Sequence, residues 1–144
     1  MGGSAGGYAT LMCMTKAPSV FRAGVCRFGI ADLTTFTDRT WVFERHYTAR
    51  LIGRPSAHSD LYYDRSPIHV VQDVQEPILI LQGDQDIVCH PTQMDAMTEA
   101  LRRAGKDVEY HTYAGEGHGW RKVATTIDDA ERVDDFLVRK VLNR

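Results

Sequence analysis

Apolar residues recur every three to four positions in four stretches of the chain, which is the spacing of a helix with one buried face. These stretches cover residues 5–16, 37–52, 92–105 and 124–142, and Gly53 is a stop signal for the second. The residues at this spacing are Tyr8, Leu11 and Met12, on one side of the first helix; Trp41, Val42, Arg45 and Ala49 in the second; Met94, Met97, Ala100 and Leu101, which form one face of the third; and Ile127, Val133, Leu137 and Val141, which are expected to face inward in the fourth.

Three other stretches have patterns typical of β-strands. Residues 22–30 are rich in small and β-preferring side chains, residues 78–83 (ILILQG) are a continuous apolar run, and residues 107–113 alternate between polar and apolar. Residues 54–74 are predicted to be a loop with one helical turn. Strands that alternate with helices predict an α/β fold, here three parallel strands with flanking helices. Functional residues in such sheets lie at the carboxyl ends of the strands.

The composition excludes several classes of protein. The chain has 144 residues, 43% hydrophobic and 25% charged, which suits one domain or part of a larger one. Its net charge of −2 argues against a nucleic-acid partner, because such proteins carry a basic surface. No apolar run approaches the roughly 20 residues of a membrane span, and no secretory signal is recognisable. Three scattered cysteines indicate neither disulfides nor a zinc site, so we expect a cytoplasmic protein without metal or cofactor.

The N-terminal residues Gly2-Gly3-Ser4-Ala5-Gly6 have the spacing G-x-S-x-G. This spacing is typical of a sharp turn that presents a nucleophilic serine between a strand and a helix. The glycines would permit the turn, and the backbone N–H of Ala5 would be one donor to the oxyanion. A flexible glycine-rich leader is the alternative explanation of the same residues.

Two further loops follow predicted strands and are therefore expected at the same edge of the sheet. The first carries Asp84 and Asp86, either of which could hold a histidine, form a turn or cap the next helix. The second contains His118 between two glycines, where a general base is needed. The order serine, acid, histidine is that of the α/β-hydrolase triad. Ordinary structural or solvated roles are assigned to the remaining histidines, which are His46, His58, His69, His90 and His111.

Three motifs, GGSAGGY, QGDQDIV and GEGHGW, together resemble the catalytic domain of the prolyl oligopeptidase family of serine peptidases. The nearest branch is the acylaminoacyl-peptidase and dipeptidyl-aminopeptidase-like one, and the likeness extends through FRAGVCRFGIADLTTF, SPIHVV and EALRRAGKDVEYHTY. The family pattern G-x-x-D, counted from Gly83, selects Asp86 as the triad acid. Tyr8 after two glycines also fits the family, whereas Cys89-His90 departs from the valine and proline that often follow the acid.

The resemblance implies a serine peptidase of the α/β-hydrolase fold that acts on short or N-blocked peptides. Ser4 would attack the carbonyl, His118 would transfer the proton and Asp86 would orient His118; water would then hydrolyse the acyl-enzyme. A carboxylesterase acting on small esters is the alternative, because the same triad serves both reactions. Candidates for the substrate pocket are Tyr8, Trp41 and Phe43, although the last two suit the core of the predicted helix slightly better.

Family domains are longer than this chain and place several strands before the serine turn. The resemblance therefore implies that residues 1–144 are the C-terminal portion of the catalytic domain, with the N-terminal half of the sheet missing. The family's second oxyanion donor and its β-propeller have no counterpart in the sequence, so we expect a weak or inactive hydrolase.

Two structural consequences follow from such a truncation. A fraying N-terminus should lengthen the distance from Ser4 to His118. The strand at residues 22–30 should be a bare edge, open to the missing half or to another copy of the chain. A non-catalytic interaction fragment is the remaining alternative.

Overall fold

The computed structural model describes residues 1–40 and 46–143. Its strands form one parallel sheet in the order β1 (Gly2–Gly3), β2 (Gly24–Arg27), β3 (Ile78–Gly83) and β4 (Val108–Tyr113). The helices are α1 (Ala5–Lys16), α2 (Leu33–Arg39), α3 (Tyr47–Ile52), α4 (Ser59–Asp64), α5 (Thr92–Arg103) and α6 (Val123–Leu137). Residues 54–74, predicted to be mostly loop, contain α4 and the 3-10 segments Pro55–Ala57 and Pro67–Asp73. A π-helical turn, Val138–Leu142, follows α6.

Strand β3 is buried along its whole length because helices cover both faces of the sheet. Ile78 and Ile80 point into a core formed with α1 and α5, and Leu79 and Leu81 point into a second core formed with α6. The continuous apolar run therefore has the two-sided burial that the sequence predicted. Helix α5 also presents its predicted face, since its buried apolar residues are Met94, Met97 and Leu101.

The edge of the sheet next to Ser4 differs from the prediction of three strands. A fourth strand, β1, pairs in parallel with β2 through Gly2 opposite Cys26 and Gly3 opposite Arg27. The predicted bare edge of β2 is therefore wrong, because β1 occupies it. The strand predicted over residues 22–30 is also too long. It ends at Arg27 because Phe28 adopts a φ of 37°, which breaks the extended conformation.

The single helix predicted over residues 37–52 is wrong as well. Helix α2 begins earlier, where the Asp32 side chain caps its first turn, and it ends where Thr40 becomes extended. Helix α3 is a separate element, which ends at Gly53 as predicted, with a φ of 103°. Residues 41–45, which include Trp41, Val42 and Arg45 of the predicted helix, lie outside the described residues.

The buried face of α6 is rotated from the one that apolar spacing predicts. Val133 is buried as expected. Ile127 was expected to be buried but is 53% exposed, whereas Phe136, which was not expected on this face, is fully buried. Asp129 lies on the same inward face, because its carboxylate receives both Nε and Nη2 of Arg27 at 2.7 Å. An ion pair with the sheet thus sets the orientation of this helix together with its apolar residues.

Candidate active site

Ser4 lies in the turn between β1 and α1. Its φ of 55° and ψ of −122° fall in a region that residues with a side chain rarely adopt. Two backbone hydrogen bonds hold the turn: Ser4 N–H donates to the carbonyl of Arg27 at 3.0 Å, and the Ser4 carbonyl accepts from Tyr8 N–H at 2.9 Å. The strain expected of a nucleophile turn is therefore located at the serine itself.

The glycines around Ser4 are needed for close packing. A Cβ atom at Gly2 would clash with the carbonyl of Gly6, and one at Gly7 would lie 2.8 Å from the carbonyl oxygen of Arg27. A Cβ at Gly6 would meet nothing within 4 Å. Gly2 and Gly7 thus allow α1 to start directly against the sheet, whereas Gly6 has no such steric role.

Asp86 follows β3 and is almost completely buried, with 1% of its surface exposed. Its Oδ1 accepts the backbone N–H groups of Val88 and Cys89, both at 2.9 Å, which fixes the carboxylate within the turn. Its other oxygen, Oδ2, faces His118, and the amide of Gln82 lies 3.4 Å from it. Asp86 is therefore oriented from both sides for a contact with the histidine.

Asp84, the competing acid, has a different partner. Its Oδ1 accepts the backbone N–H of Gly115 at 2.7 Å and so caps the turn that follows β4. This carboxylate is exposed, and its hydrogen bond stabilises the turn. The contact with His118 is made by Asp86, as the G-x-x-D pattern predicted.

His118 joins the acid to the serine. Its Nδ1 lies 2.9 Å from Oδ2 of Asp86, and its Nε2 lies 2.9 Å from Oγ of Ser4. A carboxylate can only accept, so Nδ1 carries the proton that is donated to Asp86, and Nε2 is left to accept the serine hydroxyl. The predicted lengthening of the Ser4–His118 distance is wrong, because pairing of β1 with β2 holds the serine turn in place.

Glu116 fixes the loop that carries His118. Its carboxylate is 1% exposed and accepts the backbone N–H groups of Arg121 and Lys122 at 2.9 and 3.0 Å. These hydrogen bonds, the one from Arg121 first, lower the pKa of Glu116 below its ordinary value. The Glu116 carbonyl also accepts Gln85 N–H at 2.8 Å, which ties the loop of the base to the loop of the acid. Sequence reasoning missed this role, although Glu116 is the second residue of the GEGHGW motif.

An apolar cavity of about 240 Å³ opens beside Ser4 and Ala5. Tyr8 lines it as predicted, with its hydroxyl donating to the carbonyl of Arg65 at 2.8 Å, but Trp41 and Phe43 lie outside the described residues. Sequence reasoning missed most of the wall, which includes Ile30, Leu33, Phe36, Thr48, Leu51 and Ile52. The apolar spacing of residues 30, 33 and 36 directly after a strand end was the available signal.

Ala5 is the first residue of α1, so its N–H is among those that have no carbonyl partner within the helix. It borders the same cavity as Ser4, which suits the predicted role as an oxyanion donor. Within residues 1–40 and 46–143, no group of three or more His, Cys, Asp and Glu side chains is arranged to hold a metal ion. No helix in that part of the chain is long and apolar enough to cross a membrane.

The model of the prolyl oligopeptidase family matches residues 1–144. The chain belongs to this family. The family consists of serine peptidases, so the resemblance based on the three motifs is confirmed. Dipeptidyl peptidase family member 6 of Caenorhabditis elegans is 30% identical over 143 residues, covering 95% of this chain and 19% of that protein. Dipeptidyl aminopeptidase BIII of Pseudoxanthomonas mexicana is 31% identical over 127 residues, covering 85% of this chain and 18% of that protein.

Solved structures of peptidases have the same fold as this chain. A puromycin-hydrolyzing peptidase of Mycobacterium tuberculosis has a TM-score of 0.94 and 36% identity, covering 97% of this chain and 21% of its own. An acylaminoacyl peptidase at 22% identity and a TM-score of 0.87 shows the fold alone. The predicted α/β-hydrolase fold is confirmed, with four described strands in place of three. The chain spans about a fifth of the length of these relatives.

Proposed function

We propose that the protein is a serine peptidase that works through Ser4, His118 and Asp86. The observation that carries the proposal is the position of His118, whose two ring nitrogens lie 2.9 Å from a buried carboxylate and 2.9 Å from a serine hydroxyl. This arrangement supplies a nucleophile, its base and the group that orients the base.

The reaction follows from the direction of these hydrogen bonds. His118 Nε2 takes the hydroxyl proton as Ser4 Oγ attacks the carbonyl carbon, and the N–H of Ala5 donates to the oxyanion that forms. His118 then gives the proton to the leaving amine, and a water molecule, deprotonated in the same way, hydrolyses the acyl-enzyme. Asp86 keeps the ring oriented through Oδ2 during both steps, while the N–H groups of Val88 and Cys89 hold its Oδ1.

The substrate is proposed to be a short or N-blocked peptide with an apolar side chain next to the scissile bond. The cavity beside Ser4 is lined mainly by aliphatic and aromatic groups, which suits such a side chain. The names of the relatives, a dipeptidyl aminopeptidase and a puromycin-hydrolyzing peptidase, fit the cleavage of short amide substrates.

We infer that residues 1–144 form the C-terminal portion of an α/β-hydrolase catalytic domain. The chain covers only about a fifth of the length of its relatives. In the described sheet, β1 is the edge strand and pairs only with β2. The other side of β1 is proposed to receive further strands of the domain, or a second copy of the chain.

The test is labelling with a fluorophosphonate probe, which reacts with activated serines. We expect the parent chain and a Ser59→Ala control, which removes an exposed serine on α4, to be labelled, and Ser4→Ala to remain unlabelled. Equal labelling of Ser4→Ala would contradict the assigned nucleophile. A panel of apolar anilides and esters then separates the two candidate reactions, since turnover of esters alone would indicate a carboxylesterase.

A further inference from the structure

The imidazole of His118 has a second neighbour besides the acid and the serine. The ring of Phe28 lies edge-on to it, with a centroid distance of 4.9 Å and an interplanar angle of 62°. The hydrogen bonds at Nδ1 and Nε2 fix these two atoms of the imidazole but leave the ring free to tilt about the line that joins them. An aromatic ring against its side removes this freedom.

Phe28 itself is held in an unusual backbone conformation. Its φ of 37° is rare for a bulky residue, and such strain persists only where the surroundings fix it. The Phe28 N–H donates to the carbonyl of Leu81 at 2.8 Å, and the carbonyl of the preceding Arg27 accepts from Ser4 N–H at 3.0 Å. The backbone at Phe28 is thus locked between β3 and the serine turn.

The Phe28 ring also reaches the strand that leads to the nucleophile. A Cβ atom at Gly3 would lie 2.8 Å from Cε2 of this ring, so the ring rests directly on the residue before Ser4. One side chain therefore contacts both the strand of the nucleophile and the ring of the base.

Trp120 is a second aromatic neighbour of Phe28. Its ring meets that of Phe28 edge-on at 5.1 Å, and its indole N–H donates to Oδ1 of Asp129 at 3.0 Å. The buried Asp129 carboxylate in turn binds Arg27 through two contacts of 2.7 Å. Because Arg27 is bonded to Phe28, these four residues form a closed ring of contacts, with little freedom for the Phe28 side chain.

We propose that Phe28 is a positioning residue, which holds the His118 imidazole in line with Ser4 and is itself held by Trp120, Asp129 and Arg27. This inference rests on the proposed function, because it assigns a role relative to the proposed base. Phe28 takes no part in proton transfer. It acts by limiting the orientations of the ring that transfers the proton.

The test compares Phe28→Gly with Phe28→Tyr. Glycine accepts the positive φ without strain, so this variant is expected to fold although it lacks the ring. Tyrosine restores the ring. As a control for lost stability, Leu101→Ala changes a fully buried residue of α5, which belongs to a different core from the one that Trp120 packs against.

The first readout is the rate of labelling of Ser4 by the fluorophosphonate. We expect Phe28→Gly to react about 10- to 100-fold more slowly, as for displacement of a reacting group by about 1 Å, and Phe28→Tyr to recover most of the rate. The second readout is the NMR signal of the His118 Nδ1 proton in chains with ¹⁵N-labelled histidine. Its exchange with solvent should be faster in Phe28→Gly and unchanged in Leu101→Ala.

If Phe28→Gly were labelled at the rate of the parent chain, and its His118 Nδ1 proton exchanged at the parent rate, the inference would be wrong. The proposed function would be unaffected. If Ser4→Ala were labelled as fast as the parent chain, the proposed function would fail instead. The NMR comparison would then still decide whether Phe28 orders the imidazole. A variant Phe28→Leu, which keeps an apolar side chain of similar volume, serves in both readouts should the glycine variant not fold.

Discussion

Asp84 and Asp86 stand two positions apart in one turn, and their carboxylates have different partners. Asp86→Asn is expected to lower kcat on the order of 10⁴-fold, because the new amide would favour the wrong tautomer of His118. Asp84→Asn should leave kcat close to that of the parent, since it changes only the cap on Gly115. Ester turnover by the two purified variants, after circular dichroism has confirmed folding, checks this prediction. A larger loss in Asp84→Asn would show that the acid has been wrongly assigned.

Ser4, Asp86 and His118 could be proposed as a triad from the sequence because each belongs to a short local motif at a strand end. The support around them could not. Phe28 contacts His118 from 90 positions away in the chain, and the cavity wall combines α2, α3 and Ile30, which follows β2. Such contacts depend on how the elements pack. The spacing of residues 30, 33 and 36 could indicate one side of the wall, but no single stretch encodes its combination with α3 or the contact of Phe28 with His118.

The close packing of α1 against β2 requires a glycine at position 7 but not at position 6. Gly7→Ala should lower the free energy of unfolding by about 1–3 kcal/mol, because the added methyl group would press on the carbonyl of Arg27 and on Gly29. Gly6→Ala adds its methyl group to open space and gains helix propensity, so it should be neutral or stabilising by up to about 1 kcal/mol. Urea unfolding of both variants measures the difference. Equal destabilisation would contradict the close-packing role assigned to Gly7.

The loop that carries His118 should make the stability of the protein depend on pH through Glu116. Hydrogen bonds from Arg121 N–H and its neighbour lower the pKa of this carboxyl in the folded state below the ordinary value of 4.5. The folded state therefore gains stability from Glu116 above about pH 4.5, and loses it as the pH falls through the lower, folded-state pKa. Glu116→Gln should unfold at less denaturant than the parent at pH 7, and the difference should narrow in acid.

Urea unfolding of the parent, of Glu116→Gln and of the exposed control Glu131→Gln over this pH range measures the effect. If the gap between the parent and Glu116→Gln were constant with pH, the ionised form of Glu116 would not be what stabilises the loop.

Elements with strong local signals were predicted well, and those set by distant partners were not. The apolar run of β3 and the amphipathic face of α5 needed only their own residues. By contrast, the orientation of α6 depends on the pairing of Asp129 with Arg27, 102 positions apart, and an aspartate is ordinarily expected at the surface. Helix α2 begins earlier than predicted because its start depends on the Asp32 cap more than on apolar spacing.

At the scale of the molecule, the 144-residue chain combines a well-formed triad with one assigned oxyanion donor, the N–H of Ala5. The triad distances of 2.9 Å give no reason to expect a misplaced nucleophile. Any deficit in catalysis should therefore arise from weaker stabilisation of the oxyanion.

Loss of one oxyanion donor lowers kcat by about 10²–10³. We expect the isolated chain to turn over an apolar ester more slowly, by that factor, than the longer puromycin-hydrolyzing relative from Mycobacterium tuberculosis. Steady-state assays of both proteins on one ester measure the ratio. Equal values of kcat would show that the 144 residues hold a complete oxyanion site.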